Sequence, residues 1–269
     1  MVDLGEPVAM DVDPPEEDLP PHDALRIAFW NAQRISGNSN EDKRMIAHTL
    51  RAYGSDIILC EAVGDLEDFE LVAPVKGAGR PRKLKSMFFR EHVAWAEVDT
   101  IGQAFELGAL DHKEYRIKAG ARNAGDVVNA KLRRPLVGKV NLKGTVWGLA
   151  ALHAPAGGAK NSLNLTTLYA TMWWLHTHFG DHWVLFGDLN LDPRTDAKGR
   201  NNLAWWVLGY LNDHVGYPVV PKLDGPTHKD SVLDYALCPA AVAGAVTVKV
   251  LADFEGVSDH RPIHLLLTP

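Results

Sequence analysis

Residues 181–192 read DHWVLFGDLNLD. The five residues from Trp183 to Gly187 carry no charge and have the length of a buried strand. Asp188 and Asn190 follow, two positions apart, where the apolar run gives out. Side chains alternate along a strand, so such a pair points to one side. Taken alone, the pair could be turn formers. A second explanation is that the chain aims a carboxylate and an amide together at the end of its core for a chemical purpose.

The same habit recurs elsewhere. LRIAFWN (25–31) reads as a first core strand closed by Asn31, and SDIILCEAV (55–63) as a strand with Glu61 near its C-terminal end. PLVGKVNLKGTVWGLAALHAP (135–155) gives two strands joined near Lys143 and Gly144, the second running out at His153. SVLDYALC (231–238) carries Asp234, and SDHRP (258–262) places Asp259 and His260 just before a last strand, HRPIHLLL. Between these lie an amphipathic helix over 40–54 that stops at Gly54, a long helix over 160–179, a helical stretch at NNLAWWVLGYL (201–211) and a strand at AVTVKVLAD (245–253). In the blurred region 64–134, KLKSMFF, HVAWAEV, AFELGAL and EYRIKAG are each expected as short strands. Strands alternate with helices early and pair directly late, which points to a layered α+β sandwich rather than a doubly wound nucleotide-binding sheet. The GGAK at 157–160 is too short for a phosphate loop.

Several buried carboxylates without partners would cost several kcal/mol each, so they require a cation, imidazoles or water. A set of Asn, Glu and Asp oxygens matches a hard ion such as Mg²⁺, with Mn²⁺ or Ca²⁺ as substitutes. The site contains no cysteine and only two histidines, so structural zinc is improbable. Carboxylate–imidazole pairs beside Mg²⁺ suit phosphoester hydrolysis, which needs an activated water and cations facing the phosphoryl oxygens.

Composition sets the outer limits. The chain has 269 residues, is 46% hydrophobic and has a formal net charge of −6. Residues 1–24 hold eight acids, five prolines and no Lys or Arg, leaving 26 acids against 28 bases from Leu25 onward. A flexible acidic leader (1–24) and a single catalytic domain (25–269) are expected. No segment is long and apolar enough to span a membrane, and no basic, hydrophobic secretory signal opens the chain. A cytoplasmic location, or export without a cleaved signal, fits. Cys60 and Cys238 each lie in apolar runs and read as buried thiols.

As a group, WNAQR (30–34), CEA (60–62), LHAP (152–155), GDLN (187–190), LDYAL (233–237) and SDHRP resemble the endonuclease/exonuclease/phosphatase superfamily. That resemblance implies the DNase I-like four-layered sandwich, two packed and mainly antiparallel β-sheets flanked by helices. Within the superfamily, RRPLVGKV (133–140) and WGLAALHAPAGGAKN (147–161) look most like the catalytic B subunit of cytolethal distending toxins, in which an Arg-Pro also enters a strand and the catalytic His precedes Ala and a glycine pair. A stand-alone bacterial nuclease or toxin-like effector is the implied type.

The roles implied by the resemblance fall on named residues. Glu61 would be the principal metal ligand, with Asn31 and Asp259 at or near the same ion. Asp188 and Asn190 would face the attacking water and the scissile phosphate, and His153 and His260 would hold phosphate oxygens and share the proton work. Asp234 would fix the tautomer of His260 and favour its cationic form. Arg134 is the expected substrate clamp, with Arg133 as its rival. The further Arg, Tyr or Glu that the family supplies from mid-chain has no readable counterpart here.

From Lys76 to Arg134 there are 13 Lys/Arg and seven Asp/Glu, with RPRKLK (80–85) and KLRRP (131–135) at the edges. This basic excess favours DNA as substrate, cut with weak sequence preference by a monomeric Mg²⁺-dependent phosphodiesterase. A phosphoinositide or other phosphomonoester phosphatase and a catalytically silent scaffold are the alternatives. The Trp pairs at 173–174 and 205–206 read as packing rather than base stacking.

Overall fold

A computed structural model describes residues 23–32, 50–62, 70–75, 82–88, 93–110, 134–156, 162–193, 218–251 and 258–268. Its elements, in chain order, begin with β1 (Leu25–Asn31), β2 (Ile57–Ala62), β3 (Glu70–Val75), β4 (Arg82–Phe88), β5 (Ala96–Glu97) and α1 (Thr100–Glu106). Next come β6 (Leu136–Leu142), β7 (Thr145–Ala151), α2 (Ser162–Phe179) and β8 (Trp183–Asp188). The chain finishes with β9 (Pro218–Val219), β10 (Asp234–Pro239), a 3₁₀ turn (Ala240–Ala245), β11 (Val246–Val250) and β12 (Ile263–Leu267).

The strands form two six-stranded sheets, ordered β11-β12-β1-β2-β4-β3 and β5-β6-β7-β8-β10-β9. Among the described residues only β1/β2 and β7/β8 pair in parallel, so the sandwich is mainly antiparallel, as expected. Its middle is a core shared by both sheets, with Ile27, Phe29, Ile57 and Leu59 facing Leu149, Val184, Phe186 and Ala236. A second core lies on the far side of the second sheet, where Ala150, Trp183, Leu185 and Leu237 meet Leu168, Met172 and Leu175 of α2. These two cores explain the opening stretch. Trp183 and Leu185 face the helix while Val184 and Phe186 face the other sheet, so β8 is buried on both faces and no position in it tolerates a charge before Asp188.

Turn chemistry fixes the register. Lys143 and Gly144 both take positive φ (51° and 83°) between β6 and β7, the left-handed pair that a tight hairpin requires. Gly54 (φ 77°) ends a helical turn over 50–52, and its N–H donates to the Arg51 carbonyl at 2.8 Å. The rest of the helix expected over 40–54 lies outside the described residues. So do EYRIKAG, NNLAWWVLGYL with Trp205 and Trp206, the GGAK run and residues 1–22 of the acidic leader.

One expected strand is a helix. AFELGAL (104–110) begins inside α1 and continues as turn. Asp99 caps this helix, its Oδ1 accepting from Gly102 N at 3.0 Å, and Ile101 and Ala104 are buried on one side. Trp174 Nε1 of α2 donates to Gln103 Oε1 at 2.5 Å, so contact with α2 supplies what a seven-residue segment lacks in pattern. Within its described residues HVAWAEV contributes only the two-residue β5, whereas KLKSMF of the expected KLKSMFF lies in β4. Cys60 and Cys238 are both buried thiols, as expected, and form no disulfide. Among the described residues no helix is long and apolar enough to cross a membrane.

Candidate active site

Strand register brings the polar ends together. In the first sheet Asn31 lies beside Glu61, the last matched pair of β1 and β2. In the second sheet Ala151 matches Phe186, so two more residues along each strand lead to His153 and Asp188. Asp188 is matched by Asp234 at the start of β10. The segment before β12 returns to β1, where Ser258 Oγ donates to the Asn31 carbonyl (3.1 Å) and Trp30 Nε1 to the His260 carbonyl (2.9 Å).

Glycine permits the closest approach. Gly187 has φ +138°, and a Cβ placed there would lie 2.1 Å from the Leu152 carbonyl oxygen. Without it, the ends of β7 and β8 could not lie close enough for Ala154 N to donate to the Asp188 carbonyl at 2.8 Å. Asn190 then turns the chain at φ +51°, a conformation that Asn tolerates better than most side chains. Its backbone N–H caps Asp188 Oδ1 (3.1 Å) and its Nδ2 donates to the Ala154 carbonyl (3.0 Å). The last residue of the opening stretch, Asp192, accepts from Val232 N at 3.1 Å and steadies the approach to β10.

The side chains form one buried network. Asn31 Nδ2 donates to Asp188 Oδ2 at 2.7 Å, bridging the two sheets. His153 Nδ1 lies 2.6 Å from Glu61 Oε1, and its Nε2 lies 3.5 Å from Asp188 Oδ2. His260 Nδ1 lies 2.6 Å from Asp234 Oδ2, and Asp188, Asp234 and His260 each bring a ligand-type atom within 4.8 Å of the others. Thr227 Oγ1 accepts from both Leu233 N and Asp234 N at 2.9 Å, which fixes the start of β10.

Charge in this network is unbalanced. Glu61, Asp188 and Asp234 are all buried, and they outnumber the two imidazoles. Burial, reinforced by the neighbouring Asp188 charge, pushes the Asp234 carboxyl up to about 7 against the pull of its bond to His260. Burial alone would lower His260, but the bond and charge of Asp234, with Asp188 and Asp259 adding to them, raise it to about 9. The direction for His260 follows from the carboxylates around it, so near neutral pH it is held as an imidazolium. Asn31 Oδ1 is buried without a hydrogen-bond partner. Surplus negative charge beside an unpartnered side-chain carbonyl oxygen is what a hard divalent cation would satisfy, so these residues fit such an ion.

Asn31, Glu61, His153, Asp188, Asn190, Asp234 and His260 are thus brought together. Asp259 sits at the rim, half exposed, with Oδ2 3.7 Å from His228 Nε2. Arg134 is not joined to the network. It precedes β6 at the end of the sheet where His153 lies, but its guanidinium bonds Asp99 Oδ2 at 2.9 Å on the surface. Arg133 lies outside the described residues. Sequence reasoning passed over Gly187, Thr227 and His228. Gly187 was signalled only by its place in GDLN; Thr227 and His228, seven and six residues before Asp234, carried no mark in the sequence.

No family model and no curated protein matches the sequence. Solved structures match its fold over nearly its whole length. An endonuclease/exonuclease/phosphatase family protein from Leptotrichia buccalis superposes with a TM-score of 0.57 at 15% identity, covering 90% of this chain and 98% of that one. The chain has the endonuclease/exonuclease/phosphatase fold. D. rerio TDP2 complexed with a single-strand DNA product shares it (TM-score 0.57, 13% identity, 92% of this chain and 100% of that one). So does the cytolethal distending toxin from Actinobacillus actinomycetemcomitans (TM-score 0.53, 15% identity, 91% and 98%). In the endonuclease/exonuclease/phosphatase fold of this chain, the network described above lies where the two sheets' polar strand ends meet.

Proposed function

We propose that this protein is a Mg²⁺-dependent phosphodiesterase that hydrolyses DNA with weak sequence preference. The observation that carries this is the Asn31–Asp188 hydrogen bond, which joins the polar strand ends of both sheets into one network with more carboxylates than imidazoles. Glu61 would be the principal ligand of the ion, with Asn31 at it and Asp259 near it from the rim; when bound, the ion polarises a phosphoryl oxygen and offsets negative charge in the transition state.

The chain's own groups divide the remaining work. Asp188, held by Asn31 Nδ2 and by Asn190 N, orients the attacking water and accepts its proton. Asn190 and His153 face the scissile phosphate. The Nδ1 of His153 is taken by Glu61, so Nε2, on the Asp188 side, is the nitrogen that meets substrate. His260, oriented by Asp234 and held as an imidazolium, donates to a phosphoryl oxygen as charge builds there. In-line attack by the water then breaks the P–O bond, and the proton needed by the leaving oxygen comes from an imidazole. Arg134 clamps the substrate once it exchanges Asp99 for a phosphate.

Two facts favour DNA. The basic run continues along β4, whose Lys83, Leu84 and Lys85 are matched to Ala62, Glu61 and Cys60 of β2, so Arg82, Lys83 and Lys85 lie on the strand next to the one bearing Glu61. The fold is also that of TDP2, whose structure holds a single-strand DNA product. Purified protein should nick supercoiled plasmid with Mg²⁺ and stop on chelation, and His153→Ala should lower the rate by about 10²–10⁴-fold with the fold retained. Intact plasmid together with phosphate release from phosphatidylinositol phosphates would instead select a phosphomonoesterase. Inactivity on both substrates would leave a binding protein.

A further inference from the structure

His228 takes no part in the chemistry above, yet its position is strongly constrained. It forms a β-bridge with His260, and Arg261 N donates to the Thr227 carbonyl at 2.7 Å. The turn beyond it is closed from both sides, His228 N to the Ser231 carbonyl (3.0 Å) and Ser231 N to the His228 carbonyl (2.8 Å), with Lys229 at φ +50°. These bonds hold the His228 and His260 rings 4.7 Å apart, centroid to centroid. His228, Asp259 and His260 each bring a ligand-type atom within 4.8 Å of the other two.

We propose that His228, Asp259 and His260 form an inhibitory site for a borderline divalent cation such as Zn²⁺ at the rim of the buried network. Two imidazoles and one carboxylate suit Zn²⁺, whereas Mg²⁺ prefers an all-oxygen set. An anion is disfavoured, because the Asp259 carboxylate lies 3.7 Å from His228 Nε2. His260 Nδ1 is engaged by Asp234, so Nε2 is the nitrogen it offers, and a carboxylate behind a ligand imidazole both orients it and raises its basicity. His228 is 23% exposed and Asp259 47%, so an ion reaches them from solvent without opening the core. Bound there, it displaces the Nε2 proton of His260 to solvent and so takes His260 away from the phosphate. The inhibition rests on the proposed hydrolase function; the binding rests on the geometry alone.

The test is a calorimetric titration of the full chain with Zn²⁺ in excess Mg²⁺, comparing wild type with His228→Phe and His228→Asn. Phe keeps a ring against His260 but has no ligand atom, and Asn guards against a packing defect. The expected result is a Zn²⁺ site weakened roughly tenfold or more in both variants. Their Mg²⁺-supported plasmid nicking should stay at the wild-type rate while the half-inhibitory Zn²⁺ concentration rises by a similar factor. Unchanged Zn²⁺ affinity in both variants would place any bound ion elsewhere and overturn the site. Zn²⁺ binding that depends on His228 but leaves nicking undiminished would overturn the inhibition. A chain that binds Zn²⁺ through His228 but cuts no phosphoester would refute the hydrolase function and leave the cation site standing.

Discussion

Replacing Gly187 with Ala tests whether the ends of β7 and β8 must meet as closely as they do. The added Cβ would fall 2.1 Å from the Leu152 carbonyl oxygen and within about 3 Å of two more backbone atoms of Leu152, none of which belongs to a side chain that could swing aside. Its φ of +138° is also one that L side chains rarely adopt. Backbone strain of about 1–3 kcal/mol and overpacking of about 1–3 kcal/mol add to a loss of roughly 2–6 kcal/mol. For a domain of this size, at about 2–4 °C per kcal/mol, that lowers the melting temperature by about 4–24 °C. The strand ends must part to make room, which stretches the Ala154 N to Asp188 carbonyl bond and the 3.5 Å approach of His153 to Asp188. Plasmid nicking should therefore fall well beyond what the unfolded fraction accounts for. Gly144→Ala is the control. Its φ is +83° but its Cβ meets nothing within 4 Å, so it carries only the conformational cost, about 1–2 kcal/mol, at a hairpin remote from the network. If Gly187→Ala melts no lower than Gly144→Ala and nicks plasmid at the wild-type rate, the close approach does not position the site.

Three further outcomes are expected. Adding Mg²⁺ should raise the melting temperature of the wild type, and Glu61→Gln, which keeps a partner for His153 but removes the charge, should abolish that rise in a thermal-shift assay. Nicking that needs a protonated His260 should persist as pH rises and fall off near 9, because burial lowers this histidine but Asp234 and the other carboxylates more than offset it. Asp234→Asn removes the largest raising influence, so that alkaline fall should move to lower pH, and an unmoved limb would remove His260 from the proton chemistry. Burial raises the Cys238 thiol to about 12 and Cys60 is also buried, so the native protein should resist a thiol-reactive dye that labels both cysteines after denaturation.

Much of this architecture is readable in the chain because it depends on local runs with one meaning. β8 is apolar on both faces, so its end is sharp and Asp188 stands out. Asn31, Glu61 and His153 likewise sit where apolar strands stop and Asp234 where one begins, and burial of such groups demands partners. AFELGAL misled because seven residues carry too few turns for a helical period, and contact with α2 supplies the missing term. Arg134 was legible as a cation at the right sheet end, but not as the partner of Asp99, a residue 35 positions away. His228 was opaque for a similar reason. A histidine in a turn has no sequence mark until the bridge to His260 brings the two rings together. The charge imbalance inside the network belongs to the fold alone, since it exists only once three carboxylates share one buried space.

The most direct measurement is an anomalous difference map from crystals soaked in Mn²⁺, a substitute for Mg²⁺ that scatters anomalously. A peak bounded by Asn31 Oδ1 and the Glu61 carboxylate is the predicted result, with His153 released from Glu61 or sharing it with the ion. A map with no peak beside Asn31 and Glu61 at saturating Mn²⁺, in protein that still nicks plasmid, would contradict the claim that these strand ends converge to hold a divalent cation.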